Sequence, residues 1–276
     1  MLVNSLARTV NENQDEPKIF LRNLLKEVLQ GYTLNFIYTS NYQDDFLFTG
    51  GTCLRFCFGL NRLSEDLDLD IKNEDDFELD KFLVDLGDYY QKDLQFKDLE
   101  IKTAGNERQV YLKFPVLREL GLAEDDSESN ILFLRLDINP LPSLVFSEDV
   151  SMYSSADFSF VIRRYSLEDI FASKLAAILT REFEKGGGSA TFKGRDYYDL
   201  IWFLQKDVEP NYERIEDLTE FDSREVILKN LDEKVQAVSE RALEADLLPL
   251  FDNPDFVKDF SRQFKELYSE LRPRLA

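Results

Sequence analysis

Apolar positions recur with two different periods along this chain. Over residues 18–30, "KIFLRNLLKEVLQ", they fall three and four apart, as in an amphipathic helix, with a frayed polar tail expected before it and a short second helix at 32–39. At "DDFLFTGG" a short apolar run ends in two glycines, which predicts a buried strand and a tight turn; "TCLRFCFGL" behind it is apolar enough for a buried helix. "DLDLDIK" then alternates strictly, with Leu67, Leu69 and Ile71 on one face and Asp66, Asp68 and Asp70 on the other.

Residues 77–94 read as a helix, and "FKDLEIKTAGNERQVYLKFPV" as a hairpin turning at Ala104 to Asn106. The next strand is "ILFLRLDINP", whose last polar face position is Asp137. A Ser-rich passage reads as loop, "FSFVIRRY" as a strand, and "SLEDIFASKLAAILTREF" as a helix opened by a Ser cap with acids in its first turn. "EKGGGSATFKG", residues 184–194, interrupts as a flexible loop before "RDYYDLIWFLQ" resumes helical spacing, which continues beyond about residue 210. The order predicts an α+β fold: an α/β core at 1–165, a mixed sheet flanked by helices, and a helical region at 166–276 completing an active-site cleft.

Composition narrows the chemistry. With 276 residues, 43% apolar and 13% aromatic, the chain can bury a full core. Its formal charge of -21 repels duplex DNA and anionic lipid, so any nucleic-acid contact must be local. The N-terminal stretch lacks the apolar core of a signal peptide and no run reaches the roughly 18 to 20 apolar residues of a membrane span, so a cytoplasmic location is expected. There is no histidine, which removes His-based acid–base catalysis, His-ligated zinc and Ser-His-Asp triads. Cys53 and Cys57, one helical turn apart, read as two buried thiols.

What remains is carboxylate chemistry with a hard metal ion. Two Asp one residue apart on a strand point the same way, about 7 Å apart at Cα, and can hold divalent cations jointly. Asp66 and Asp68 are that pair. Asp137, ending a strand expected alongside, is the natural third carboxylate of a two-metal site and a base for an attacking hydroxyl. Magnesium, or manganese in its place, prefers such oxygens together with phosphate. Gly50, Gly51 and Thr52 supply a turn into a helix N-terminus, the backbone device that cradles polyphosphate. Lys174 and Arg195 are cations to finish the grip, from a stretch (161–195) with seven Lys/Arg against four Asp/Glu; residues 64–100 carry four against fourteen. Alone, a Gly-Gly is a turn and alternating Asp a solvated face; their order and spacing together point to nucleotide chemistry.

"GGTCLRFCFGLNRLSEDLDLD" resembles the pattern of the AbiEii/AbiGii-type abortive-infection nucleotidyltransferases, of the DNA polymerase β-like superfamily: a GGT turn, an apolar helix, then Arg-x-Ser-x-Asp-Leu-Asp. "SLEDIFASKLAAILTR" and "GRDYYDLIWFL" are similar to that family's later motifs, so the resemblance spans roughly 45–205. It implies metal binding by Asp66, Asp68 and Asp137, phosphate contacts from Gly51, Thr52 and Ser64, and functional roles for Lys174 and Asp196, with Arg195 and Asp199 as further transfers. It implies an enzyme that moves a nucleoside monophosphate from an NTP to an acceptor hydroxyl, a tRNA 3′ end or a protein, and a toxin with a cognate antitoxin. A non-catalytic nucleotide-binding protein is the rival from another class. Two features depart from the family pattern: the 184–194 loop is longer than is common, and Asp70 extends the Asp-x-Asp pair, either joining the site or facing water.

Overall fold

The computed structural model describes residues 2–104, 108–123, 128–181 and 192–275. It divides into two compact units: Met1–Leu141 with Asp149–Arg164, and Pro142–Glu148 with Tyr165–Ala276.

The first unit opens with helix α1 (Leu2–Glu12), where a frayed tail was expected. Leu2 and Leu6, one turn apart, are fully buried, and Ser5 between them hydrogen bonds the Tyr32 hydroxyl and Asp157 at 2.9 Å each. That two-leucine stripe is short, and the Asn, Arg and Thr around it hide its period. Helix α2 (Lys18–Thr39) runs unbroken where two helices were expected. Gly31 at the expected break does not end it, and the Phe158 ring packs 3.4 Å from where a Cβ would stand.

Strand β1 (Phe46–Thr49), helix α3 (Gly50–Phe58) and strand β2 (Asp66–Ile71) follow as the periodicity predicts. Helix α4 (Leu79–Asp88) runs into a wider π-type turn at Tyr89–Asp93. Strands β3 (Glu100–Ala104) and β4 (Gln109–Pro115) form the expected hairpin, most of whose predicted turn lies outside the described residues. Strand β5 (Ile131–Pro140) is followed by β6 (Glu148–Ser154) and β7 (Ser159–Tyr165). β6 occupies the Ser-rich passage read as loop; as an edge strand with mostly exposed side chains it needs little apolar alternation.

The strands form one sheet in the order β3-β4-β5-β2-β1-β7-β6. β2 lies antiparallel to β1 and parallel to β5, and β1 is parallel to β7, so the sheet is mixed. β1 sits deep in it, with Phe46, Leu47 and Phe48 fully buried. Phe82 of α4 meets the rings of Phe36, Tyr42, Phe46 and Phe77 at 5.0–6.0 Å, an aromatic core that fixes the inner face and leaves the other face of β2 and β5 for chemistry. On α3, Cys53 is buried but Cys57 is only part-buried, and neither forms a disulfide.

In the second unit, helix α5 (Leu167–Thr180) is capped by Ser166 Oγ, which accepts from Asp169 N–H at 3.1 Å. Helices α6 (Gly194–Gln205), α7 (Tyr212–Leu218), α8 (Arg224–Ala237), α9 (Glu240–Leu247) and α10 (Pro254–Leu271) complete it. Phe171 stacks on Phe203 at 4.2 Å between α5 and α6. Residues 142–148 join this unit through the buried Arg214, which donates to Val145 O at 2.9 Å and to Ser173 Oγ at 3.2 Å, and lies 4.6 Å over the Tyr165 ring. Of the 184–194 loop, residues 184–191 lie outside the described residues. No helix among the described residues is long and apolar enough to cross a membrane.

Candidate active site

Strand alternation does most of the positioning. Leu67, Leu69 and Ile71 turn into the core, which leaves Asp66 and Asp68 part-buried on the outer face. β5 runs beside β2 in the register Asp66↔Arg135 and Asp68↔Asp137, so Asp137 stands next to Asp68 on that same face. Asp70, opposite Leu47 and Asn139, is 6% exposed and does not face water.

Arg135 was not singled out from the sequence, although its place two residues before Asp137 on a strand puts it on the carboxylate face. Its Nη2 lies 2.5 Å from Asp66 Oδ2 and 3.0 Å from Asp137 Oδ2. Burial works against its charge, but Asp66 and Asp137 outweigh that and hold its pKa above the ordinary guanidinium value.

The donor set suits a magnesium-class cation: hard oxygens on paired strand positions, with positive charge already drawn between Asp66 and Asp137. Oδ1 of Asp137 is buried and receives no hydrogen bond among the described residues. With Asp66 turned to Arg135, no three acidic or thiol side chains of the described residues converge as metal ligands. The carboxylates fit the ion in kind, and Arg135 is the cation that competes for them.

The turn before α3 abuts these carboxylates. Gly50 has φ +77°, and a Cβ there would stand 1.9 Å from Asp68 Oδ2, so both backbone and space require glycine. At Gly51 a Cβ would meet Arg62 Nη2 at 2.6 Å and Ser64 Oγ at 2.9 Å. Arg62, the Arg of the Arg-x-Ser-x-Asp-Leu-Asp motif, is fully buried and donates to Leu63 O at 2.9 Å, setting a guanidinium beside the helix N-terminus; the motif marks its place in the sequence but gives it no role. Thr49, the N-cap, makes no side-chain capping bond, so capping leaves the first-turn N–H groups to an anion. Thr52 is buried with its hydroxyl donating to Asp66 O at 2.5 Å, which ties α3 to β2. What Thr52 offers a phosphate is therefore its backbone N–H.

The helical unit gathers a second ionic group. Lys174 Nζ lies 2.9 Å from Asp196 Oδ1 and 2.8 Å from Asp199 Oδ2, and Arg181 also pairs with Asp196. Asp196 is 3% exposed and Asp199 0%. Their i, i+3 spacing puts both on one face of α6. Arg195 beside them donates its backbone N–H to Asp246 Oδ2 at 2.9 Å. Each unit thus assembles its own predicted residues: Gly50, Gly51, Thr52, Ser64, Asp66, Asp68 and Asp137 in the first, Lys174, Asp196 and Asp199 in the second.

The sequence profile described as "Nucleotidyl transferase AbiEii toxin, Type IV TA system" matches residues 34–273. The chain belongs to the AbiEii nucleotidyl transferase toxin family. Among solved structures, JHP933 from Helicobacter pylori is similar to this AbiEii-family chain over 92% of its length and 93% of that chain, at 18% identity and a TM-score of 0.50. A candidate nucleotidyltransferase from H. pylori is similar over 91% and 95%, at 17% identity and a TM-score of 0.49. At such identity the first likeness speaks for the fold alone. No curated protein matches the chain.

Proposed function

We propose that this AbiEii-family protein transfers a nucleoside monophosphate from an NTP to an acceptor hydroxyl, with release of pyrophosphate, on the outer face of β2 and β5. The observation that carries the reading is the contact between two devices: the Asp68 carboxylate rests against the Gly50 backbone, beside Asp137 in register. Asp66, Asp68 and Asp137 would hold magnesium or manganese, which supplies charge for the phosphoryl oxygens. The N–H groups of Gly51 and Thr52, the Ser64 hydroxyl and the buried Arg62 bind and orient the triphosphate. Asp137 takes the proton of the acceptor hydroxyl.

For Lys174, Arg195 and Asp196 the family resemblance supports a part in NTP use. The ion pairs of Lys174 with Asp196 and Asp199 support a holding role between α5 and α6. Lys174→Ala separates the two: raised KM for NTP at an unchanged melting temperature speaks for substrate contact, and a lowered melting temperature with unchanged KM for the structural role. The overall reading is tested by incubating the protein with each α-labelled NTP, magnesium or manganese, total RNA and lysate protein on denaturing gels. Label joined to a macromolecule is the expected result. No label from any NTP with either metal overturns the reading.

A further inference from the structure

A second gathering of polar and aromatic groups stands apart from the carboxylate face. Helix α1, the middle of α2 and the turn between β6 and β7 line a cavity of about 110 Å³. Tyr32, Tyr153 and Phe158 supply its rings. Gly31 keeps it open, since a Cβ there would stand 3.4 Å from the Phe158 ring and 3.8 Å from the Tyr153 hydroxyl. In the sheet order β6 and β7 lie at one edge with β1 between them and β2, and no carboxylate of the candidate active site lines the cavity.

Its walls are fixed by their own packing, which lowers the cost of binding. Tyr32 meets Phe158 edge to face at 5.0 Å, and Phe56 of α3 stacks on Tyr153 at 4.8 Å. Glu27, also on the wall, is held by Arg55 at 2.7 Å. Asp157 accepts through Oδ2 from Ser5 at 2.9 Å and from the Tyr32 hydroxyl and Arg8 at 3.2 Å each, whereas Oδ1 accepts only from Arg8, at 3.4 Å, among the described residues. The Tyr153 hydroxyl takes part in no hydrogen bond among the described residues. Burial, with Glu27 and Asp157 nearby, pushes its pKa up to about 12, so it stays neutral.

We propose that this cavity binds a small aliphatic amine in its ammonium form. The site stands independently of the nucleotidyl-transfer reading. Aromatic rings attract a cation through their quadrupole. An ammonium group carries three donors and no acceptor, and the wall offers it three oxygens. These are Asp157 Oδ1, the Tyr153 hydroxyl, and Thr9 Oγ1, which keeps lone pairs after donating to Ser5 O at 3.1 Å. An anion would face Glu27 and Asp157, and an apolar ligand would leave the Tyr153 hydroxyl unpaired. Size narrows the class further: a cavity of about 150 Å³ takes benzene, so this smaller one suits a head group on a short alkyl chain rather than a ring. Arg8 is exposed, and a surface ion pair of its kind is worth about 1 kcal/mol or less, so it yields Asp157 to a better-placed cation. A net charge of -21 raises the local concentration of such cations.

The test is isothermal titration calorimetry of the full chain with n-butylammonium chloride at about 0.15 M ionic strength, where diffuse attraction to the acidic surface is screened. One saturable site is expected, with the neutral analogue n-butanol bound at least about tenfold more weakly. Tyr153→Leu should weaken binding roughly 2- to 30-fold, the range of one cation–ring contact. Asp157→Asn should weaken it about tenfold or more, as a charge-assisted hydrogen bond is lost. Glu100→Gln, which removes an exposed acid of β3 far along the sheet order, should bind as the native chain does. All variants are matched for folding by circular dichroism, and if Asp157→Asn loosens α1, Tyr153→Leu decides. Absence of saturable binding by the native chain, equal binding of n-butanol, unchanged affinity in Tyr153→Leu, or an equal loss in Glu100→Gln each overturns the proposal.

Discussion

Two groups of aspartates in this protein meet cations in different surroundings, and the contrast separates ligand chemistry from architecture. On the outer sheet face, Asp66 and Asp137 are part-buried and share a single guanidinium, Arg135, with Asp68 beside them against the Gly50 turn. In the helical unit, Asp196 and Asp199 are almost wholly buried and are matched by Lys174 and Arg181. The first group lies on the outer face of the sheet and remains reachable. The second is shielded. Reachable hard oxygens suit a metal ion that could in turn hold phosphates, whereas a paired, buried group holds helices together.

The largest effect on folding should come from breaking the buried group. Asp199→Ala takes away one of the two buried carboxylates that Lys174 meets, and removal of one partner of a buried pair costs about 3 to 5 kcal/mol, read as a lowered midpoint in urea unfolding. Next is Gly50→Ala, where a non-glycine residue at φ +77° costs about 1 to 2 kcal/mol and its Cβ displaces the Asp68 carboxylate. Transfer should fall much further than stability does, which a paired turnover and melting measurement would show. Arg135→Gln should change stability by no more than about 1 kcal/mol, because the pair is part-exposed and screened by solvent and the cost of burying the guanidinium goes with it. It should lower the magnesium concentration that gives half-maximal transfer, since the competing cation is gone. An unchanged magnesium requirement would detach Arg135 from the site.

The smallest effect is titrational. Burial pushes the Asp157 carboxyl up, but the hydroxyls of Ser5 and Tyr32 and the Arg8 guanidinium outweigh it and hold its pKa below the usual value. A depressed carboxylate adds stability above its unfolded pKa and loses it as pH falls through the lower folded one, so the contribution fades only below about pH 4. Asp157→Asn should flatten the acid side of the melting-temperature profile and leave the neutral side nearly parallel to that of the native chain.

Much of the sheet face was legible because period-two alternation fixes side-chain direction outright: Leu67 and Leu69 inward force Asp66 and Asp68 outward, and the Gly-Gly turn announces α3. The rest depended on pairing that no local pattern encodes. Arg135 sits on Asp66 only because β5 pairs with β2 in that register, and Arg62 reaches Gly51 only through the path of a loop. α1 was lost because Leu2 and Leu6 make too short a stripe. β6 was lost because an edge strand needs little apolar alternation. Lys174 and Asp196 were legible as residues, but their mutual pairing, and Arg181 with them, came from the packing of α5 on α6.

The central claim is that the outer-face carboxylates perform nucleotidyl transfer. The most direct measurement is the rate of labelled nucleotide incorporation by Asp68→Asn against the native chain at saturating NTP and magnesium, with folding matched by circular dichroism. The account predicts a loss of at least about 100-fold, the scale of removing one group that stabilises transition-state charge, at an equal or slightly higher melting temperature. Incorporation at the native rate by a fully folded Asp68→Asn chain would contradict it.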